Sequence, residues 1–316
     1  MTPILDAADN QPLVPDLAAE VAGLVADIDE IVAYYQAQGQ DPSDNWDFEA
    51  ALNALGAALY ANNVDEIGLP DGRIFGIRSH RTIGYAIAQA ALENGAQLCL
   101  SYRGERERER AEEAGSELGG ALVLPCDVTK DEEIEALFQT LQKEWGGVDF
   151  VVHSVAFAPG EDMQAGMVGT SREGFKLMND ISAYSLAAVS RYAAPLMPKG
   201  GSILTLTYVA SQRIVPSYGP MGVAKAALEC VVRYLASELG PQGIRVNALS
   251  PGPISTPAAR GIPQFTSLLR GVEACSPMHR NVELREVGNA AAFMLSDWAS
   301  AITAEILHVD CGMHVS

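Results

Sequence analysis

Residues 1–72 hold no lysine, arginine or histidine, against fourteen acidic residues. The formal net charge of −19 therefore belongs mainly to this segment, since the rest of the chain carries 26 acidic and 21 basic residues. Such a balance argues against nucleic acid or an anionic membrane as a partner, because both need basic surface. Long hydrophobic runs are lacking too. None reaches the roughly 20 residues needed to span a bilayer. The opening "MTPILDAADNQ" has neither the positive start of a signal peptide nor the arginines of a transit peptide, so a cytoplasmic location is expected. Cysteine is sparse: Cys99, Cys126, Cys230, Cys275 and Cys311 are scattered and form no CxxC pair. They read as buried reduced thiols, and no metal site is expected.

What is present falls into two parts. In residues 1–70, "LAAEVAGLVADIDEIVAYYQAQ" and "DFEAALNALGAALYA" place apolar residues at helical spacing around the turn-rich "GQDPSDNW". These predict two acidic amphipathic helices, fitted to pack on the main domain, pair between subunits or bind a partner. Residues 71–316 instead alternate. Seven β-like runs, "GRIFGI", "AQLCLSY", "ALVLP", "VDFVVHSVA", "SILTLTY", "IRVNALSP" and "EILHVD", are separated by helical stretches such as "IGYAIAQAALENG" and "DEEIEALFQTLQKEWG". Alternation with short connections predicts an α/β fold, a seven-stranded parallel sheet wound by helices on both faces. Ligands in such folds bind at the carboxyl ends of the strands.

Each strand end holds a candidate. After the first run, Gly76 leads through "IRSHR" to Thr82, Ile83 and Gly84, a glycine turn feeding a helix N-terminus. Free N–H groups and the helix dipole there favour an anion such as a pyrophosphate; an ordinary strand–helix turn reads equally well. After the second run, Arg103 occupies the place where NAD-selective folds often have an acidic residue, and it could face a 2′-phosphate or simply lie on the surface. After the third, Asp127 could accept from an adenine amino group or cap the helix near Asp131. After the fourth, His153 is a tempting general base, but a packed, hydrogen-bonded histidine is the better reading.

The fifth run leads to "YVASQRIVPSYGPMGVAKAALE", which supplies Tyr208, Tyr218 and Lys225. Pro220 suits the first turn of a helix, and the helix is expected to end at Gly240 as its C′ residue. Seven residues make almost two helical turns, so Tyr218 and Lys225 fall on one face. A core tyrosine and a solvated lysine would also give this pattern. The sharper reading is that the ammonium lowers the phenol pKa and that Tyr218 donates to a carbonyl oxygen gaining charge during hydride addition.

Taken together, "TIGYAIA", "CDV", "HSVAFAPG", "SREGFKLMNDISAYS", "LTLTYVASQRIVPSYGPMGVAKAALE", "RVNALSPGPISTPAARGI" and "VGNAAAFMLSD" resemble the enoyl-acyl-carrier-protein reductases, within the short-chain dehydrogenase/reductase superfamily. The resemblance covers about residues 69–314. Six residues lie between Tyr218 and Lys225, as in the enoyl reductases, where most of the superfamily has three.

The resemblance implies a Rossmann-like fold and a cofactor, NADH or alternatively NADPH. It implies an enoyl thioester on acyl carrier protein or CoA as substrate, and a homotetramer. By the same resemblance Tyr218 contacts the thioester carbonyl, Lys225 holds the nicotinamide ribose, and Tyr208 is a secondary active-site candidate. Gly76, Thr82 and Ile83 match the pyrophosphate loop and Arg103 the adenosine ribose. Asp127 and Val128 match adenine contacts, and Val155 a backbone contact. Ile254, Ser255, Thr256, Pro257 and Ala258 match the segment flanking the nicotinamide, and Ala158 and Met221 the acyl chain. The stretch "ARGIPQFTSLLRGVEACSP" resembles a lid over the substrate.

The chain departs from the pattern in a first strand about two residues short, in Ala304 and Cys311 where glycines stand, and in the acidic extension. An enone or enoyl-CoA reductase of the same superfamily and a non-catalytic scaffold are the alternative expectations.

Overall fold

The computed structural model describes residues 82–216, 218–256 and 265–316. The two expected N-terminal helices, the expected boundary at residue 70 and the expected first strand at 72–77 lie outside the described residues. Each of the six remaining runs contains a strand: β1 (Cys99–Tyr102), β2 (Leu122–Pro125), β3 (Phe150–His153), β4 (Gly201–Leu206), β5 (Ile244–Pro251) and β6 (Ile306–Val309). The expected count of seven is thus six among the described residues. β1 pairs with β2, and β3-β4-β5-β6 form a four-stranded sheet in that order, every pairing parallel.

Between and after the strands run α1 (Ile83–Glu93), α2 (Glu105–Glu117), α3 (Asp131–Trp145), α4 (Gly160–Gly169), α5 (Arg172–Asn179), α6 (Ser185–Ala193), α7 (Gly219–Leu239), α8 (Phe265–Cys275) and α9 (Leu284–Leu295). A single π-helical turn, Asp180–Tyr184, joins α5 to α6.

The periodicity of each helix explains its burial. Ile134, Leu137, Phe138 and Leu141 of α3 follow the i, i+3, i+4, i+7 rule and are all buried, while Gly146 closes the helix in the left-handed region at φ 76°. Each such side chain contributes roughly 1.5–3 kcal/mol of burial. β4 and β5 are buried along nearly their whole length, as strands covered on both faces must be. α1 packs on α9, where a Cβ on Gly288 would stand 2.5 Å from the Ala86 carbonyl oxygen; only glycine admits that approach. Gly200, at φ +84°, plays the same part before β4: a Cβ there would lie 2.6 Å from the Gly243 carbonyl oxygen.

Three local expectations are corrected. Gly240 is not a left-handed terminator: its φ of −53° is helical, and the chain runs through a 3-10 turn before turning left-handed at Gly243. Asp127 does not cap α3, whose N-cap is Lys130; its Oδ1 instead accepts from Thr129 N and Oγ1 at 3.0 and 2.7 Å. The cysteines are expected to be buried, but only Cys99 and Cys126 are, whereas Cys311 is half-buried and Cys230 and Cys275 are exposed. Their helix periodicity places these last two on outward faces, which a scan for apolar neighbours misses.

Candidate active site

β4 ends at Leu206, and Thr207 extends the ladder through its N–H to Leu249 O at 2.8 Å. The chain then leaves the sheet through Tyr208 into a 3-10 turn, Val209–Ser211. It returns at Tyr218, the N-cap of α7, with Pro220 in the first turn. This loop-and-helix geometry brings the two tyrosine rings together, centroids 4.9 Å apart and tilted by 50°. Two turns along α7, Lys225 is buried and donates from Nζ to Leu206 O at 2.7 Å. Tyr208, Tyr218 and Lys225 therefore meet at the carboxyl edge of β4, as expected.

Tyr218 also joins two apolar clusters. On one side lie Tyr208, Val209, Val215, Val272 and Met313. On the other lie Met178, Met221, Ala224 and the half-buried Ala158. The structure thus brings Ala158 and Met221, the expected acyl-chain contacts, to the same tyrosine.

The electrostatics of the site are set by burial. Tyr208 is pushed up to about 12 by burial, with Arg213 opposing and Asp310 adding to the rise. Tyr218 is pushed further up, by burial first and by Tyr208 second. The expected lowering by the neighbouring ammonium is therefore corrected: desolvation of the phenolate and the neighbouring Tyr208 set the direction, and Lys225 is not among the causes. Lys225 is itself pushed down to about 8 by burial, against the charge of Glu229. At neutral pH both phenols are neutral hydrogen-bond donors and Lys225 is still a cation.

A buried polar group without a partner is expensive. Tyr208 Oη is buried and has no hydrogen-bond partner among the described residues. Among the described residues Lys225 has one acceptor, Leu206 O, for its three donors. These leftover donors fit a polar ligand carrying hydroxyl and carbonyl oxygens, as the ribose of a dinucleotide and a thioester do.

At the nucleotide end, Thr82 is the N-cap of α1 and its side chain accepts from Tyr85 N. Ile83, first in the helix, packs on the core and leaves its own N–H without a helical acceptor. Arg103 is exposed just beyond β1, and Asp127 follows the end of β2. Val128 and Val155 are buried in the main core. Ile254 packs against that core, Ser255 is exposed and Thr256 is buried after β5. Gly76, Pro257 and Ala258 lie outside the described residues. His153 is fully buried between Thr205 Oγ1 at 2.9 Å and Ser185 Oγ at 2.7 Å, the packed histidine that was expected.

Two residues at the site escaped the sequence reading. Ser182, in the π-helical turn, accepts from Phe157 N at 2.9 Å and donates to Phe157 O at 3.2 Å, fixing the strand-end peptide beside Ala158. Its signal is faint, because "MNDISAYS" reads as ordinary helix while π-turns cluster at functional sites. Glu229 is buried one turn beyond Lys225, and its Oε1 accepts from Thr207 and Ser211. Its spacing of four from Lys225 was there to be read.

Known proteins place these observations. The family model described as enoyl-(acyl carrier protein) reductase matches residues 76–314. The NADH-dependent enoyl-acyl-carrier-protein reductase of Bacillus cereus is 47% identical over 244 residues, covering 77% of this chain and 95% of that protein. The Escherichia coli protein of the same description is 43% identical over 244 residues, covering 77% and 93%.

Among solved structures, the Bacillus cereus reductase with NADP+ and an indole naphthyridinone superposes with a TM-score of 0.75 over 76% of this chain and 95% of that one. The reductase of Anaplasma phagocytophilum, in complex with NAD, gives 0.73 at 41% identity, over 76% and 90%. With the parallel Rossmann-like sheet and the tyrosine–lysine geometry in hand, the conclusion is direct: the chain belongs to the enoyl-(acyl carrier protein) reductase family.

Proposed function

We infer that this protein reduces the trans-2 double bond of an enoyl thioester carried by acyl carrier protein, with NADH as reductant. The observation that carries the reading is the meeting of Tyr218, Tyr208 and Lys225 at one strand end, with buried donors left over for a ligand. When bound, the nicotinamide would supply a hydride for C3 of the enoyl group, and a proton from solvent at C2 would complete the reduction. The protein's own residues do the rest. Tyr218 donates to the thioester oxygen as negative charge builds there, and its neutral state at physiological pH suits a hydrogen-bond donor rather than an acid. Tyr208 lines the same pocket. Lys225 offers its remaining donors to the nicotinamide ribose, and its charge favours the developing enolate oxygen nearby. Ala158 and Met221 give the acyl chain an apolar wall.

Thr82, Ile83, Asp127, Val128, Arg103 and Val155 are proposed as the dinucleotide contacts, with Gly76 and the segment Ile254 to Ala258. The exposed Arg103 keeps NADPH as the alternative cofactor. Val272 and the half-buried Leu268 of α8 pack on the Tyr208 cluster, which supports a water-excluding role for this helix. A homotetramer is proposed on the apolar groove along α6 and α7, lined by Ala187, Ala227, Cys230, Val231, Tyr234 and Leu235. A cytoplasmic location is proposed as well; among the described residues no helix is long and apolar enough to cross a membrane. The acidic residues 1–70 are proposed as a helical extension separate from the catalytic domain at 71–316.

The test follows nicotinamide absorbance when the full chain meets a trans-2-enoyl thioester, NADH and NADPH being run side by side. Turnover with NADH supports the reading. Absence of turnover together with absence of binding of either cofactor removes it and leaves a scaffold that keeps the fold.

A further inference from the structure

The carboxylate of Glu229 is the one buried acid on the inner face of α7, and the chemistry above leaves it unused. It is 5% exposed. Its Oε1 accepts from Thr207 Oγ1 at 2.7 Å and from Ser211 Oγ at 2.5 Å. These donors flank Tyr208, one residue before it and three after, and Ser211 Oγ also lies 2.9 Å from the Tyr208 carbonyl oxygen. One turn earlier on the same helix, Lys225 grips Leu206 O. Residues 206, 207 and 211 are thus all tied to α7, and Tyr208, Val209 and Ala210 are enclosed by the ties, Tyr208 directly beside Thr207.

Tyr218 is the N-cap of that helix, and Lys225 and Glu229 lie one turn apart within it. The ties to residues 206, 207 and 211 therefore fix the Tyr208 strand exit against the helix whose start carries Tyr218.

We propose that Glu229 is a positioning residue of this site: its carboxylate clamps the strand exit on both sides of Tyr208 and keeps the neighbouring Lys225 charged. The second half of the proposal follows from isolation. Lys225 is buried, and Glu229 supplies the charge that opposes its loss of the proton. Other ionisable groups near the pair include the neutral Tyr218 at the helix N-cap, the neutral Tyr208 at the β4 exit with Arg213 and Asp310 acting on it, and His308 of β6, on which Glu229 acts. His308 is held below the usual imidazole range by burial and by the stacked His314, so it titrates below the window in which Lys225 does. The inference rests on the reductase reading for its kinetic part only.

The experiment uses the full chain with lysines labelled at 13Cε. Five lysines give five signals, and Lys225→Ala assigns the one that matters. Glu229→Gln should move the Lys225 titration down by about one pH unit, and Glu229→Asp, which keeps the charge, should leave it near wild type. In turnover assays Glu229→Gln should lower kcat about tenfold and bring its alkaline decline to lower pH, with KM for the thioester within about twofold. An unchanged Lys225 titration, or a loss of kcat with an unmoved pH profile, overturns the proposal.

If the wild type shows no turnover, the reductase reading fails, while the lysine titration still decides the role of Glu229. Should Glu229→Gln fail to fold, Thr207→Val combined with Ser211→Ala opens the clamp from its other side. Wild-type kcat in that protein overturns the proposal, and a tenfold loss with the Lys225 titration unmoved supports it.

Discussion

The two ends of the candidate site are built in opposite ways. Around β4 and α7 the polar groups are buried and, among the described residues, short of partners: Tyr208 Oη has none, and Lys225 has a single carbonyl. Around β1 and β2 the polar groups are already satisfied by their neighbours. Asp127 accepts twice from Thr129, and its N–H donates to the Glu133 carboxylate at 2.7 Å. Arg103 stands in solvent. The first region has donors left over for a ligand; the second has its polar groups paired within the chain or in solvent. Substitutions should therefore change turnover and stability strongly at the β4–α7 end and affinity weakly at the β1–β2 end.

The sharpest way to break this contrast is Tyr218→Phe. Removing a donor aimed at developing oxyanion charge should lower kcat by about 10²–10³, read from nicotinamide absorbance at saturating thioester. A loss under about fivefold would move the oxyanion contact to Tyr208.

Next comes the penalty of burying Lys225. Its folded pKa of about 8 lies below its ordinary 10.5. Between those values the unfolded chain binds more protons, so stability rises with pH; below about 8 both states are protonated and the penalty is fully present. It is on the order of 3 kcal/mol. Urea unfolding of wild type and Lys225→Met at rising pH reads it: the stability difference should move in favour of the wild type between about pH 8 and 10. A pH-independent difference would mean that Lys225 is not desolvated.

A smaller effect is expected away from both ends. Ala304 has φ +63° and Cys311 φ +56°, left-handed values that disfavour side chains by about 1–2 kcal/mol. Ala304→Gly should raise stability by about 1 kcal/mol, less the burial of one methyl, and thermal melting would detect it. Cys311 packs against the core, so its replacement by glycine should gain less.

The smallest effect belongs to the nucleotide end. Arg103→Ala should weaken NADPH by up to about fivefold, the scale of an exposed ion pair, and leave NADH within about twofold. Fluorescence titration with each cofactor measures both numbers. An equal loss for the two would place Arg103 on a phosphate common to both.

Much of the fold was legible because strand and helix periods differ. "VDFVVHSVA" and "IRVNALSP" are apolar runs too short for helices, and they became β3 and β5. The tyrosine and lysine were legible because their spacing survives any register error within one helix. Other features were hidden for physical reasons. The direction of the Tyr218 shift depends on burial, which spacing does not report. The π-helical turn adds a residue without a breaker to announce it. The ties from Glu229 to Thr207 and Ser211 cross 22 and 18 residues of chain, and only folding brings them together. Ala304 and Cys311, by contrast, stood out in the sequence where glycines are usual, and their backbone angles say why.

Lys225 and Glu229 stand at fixed intervals along α7, behind the N-cap Tyr218. A helix advances about 1.5 Å and turns about 100° for each residue. A single inserted or deleted codon between Tyr218 and Glu229 would swing everything beyond it a quarter-turn or more off axis and scatter the set at a stroke. A point substitution at the exposed Val223 disturbs none of that alignment. Over evolutionary time this stretch should accept new letters at such exposed positions more readily than any change of length.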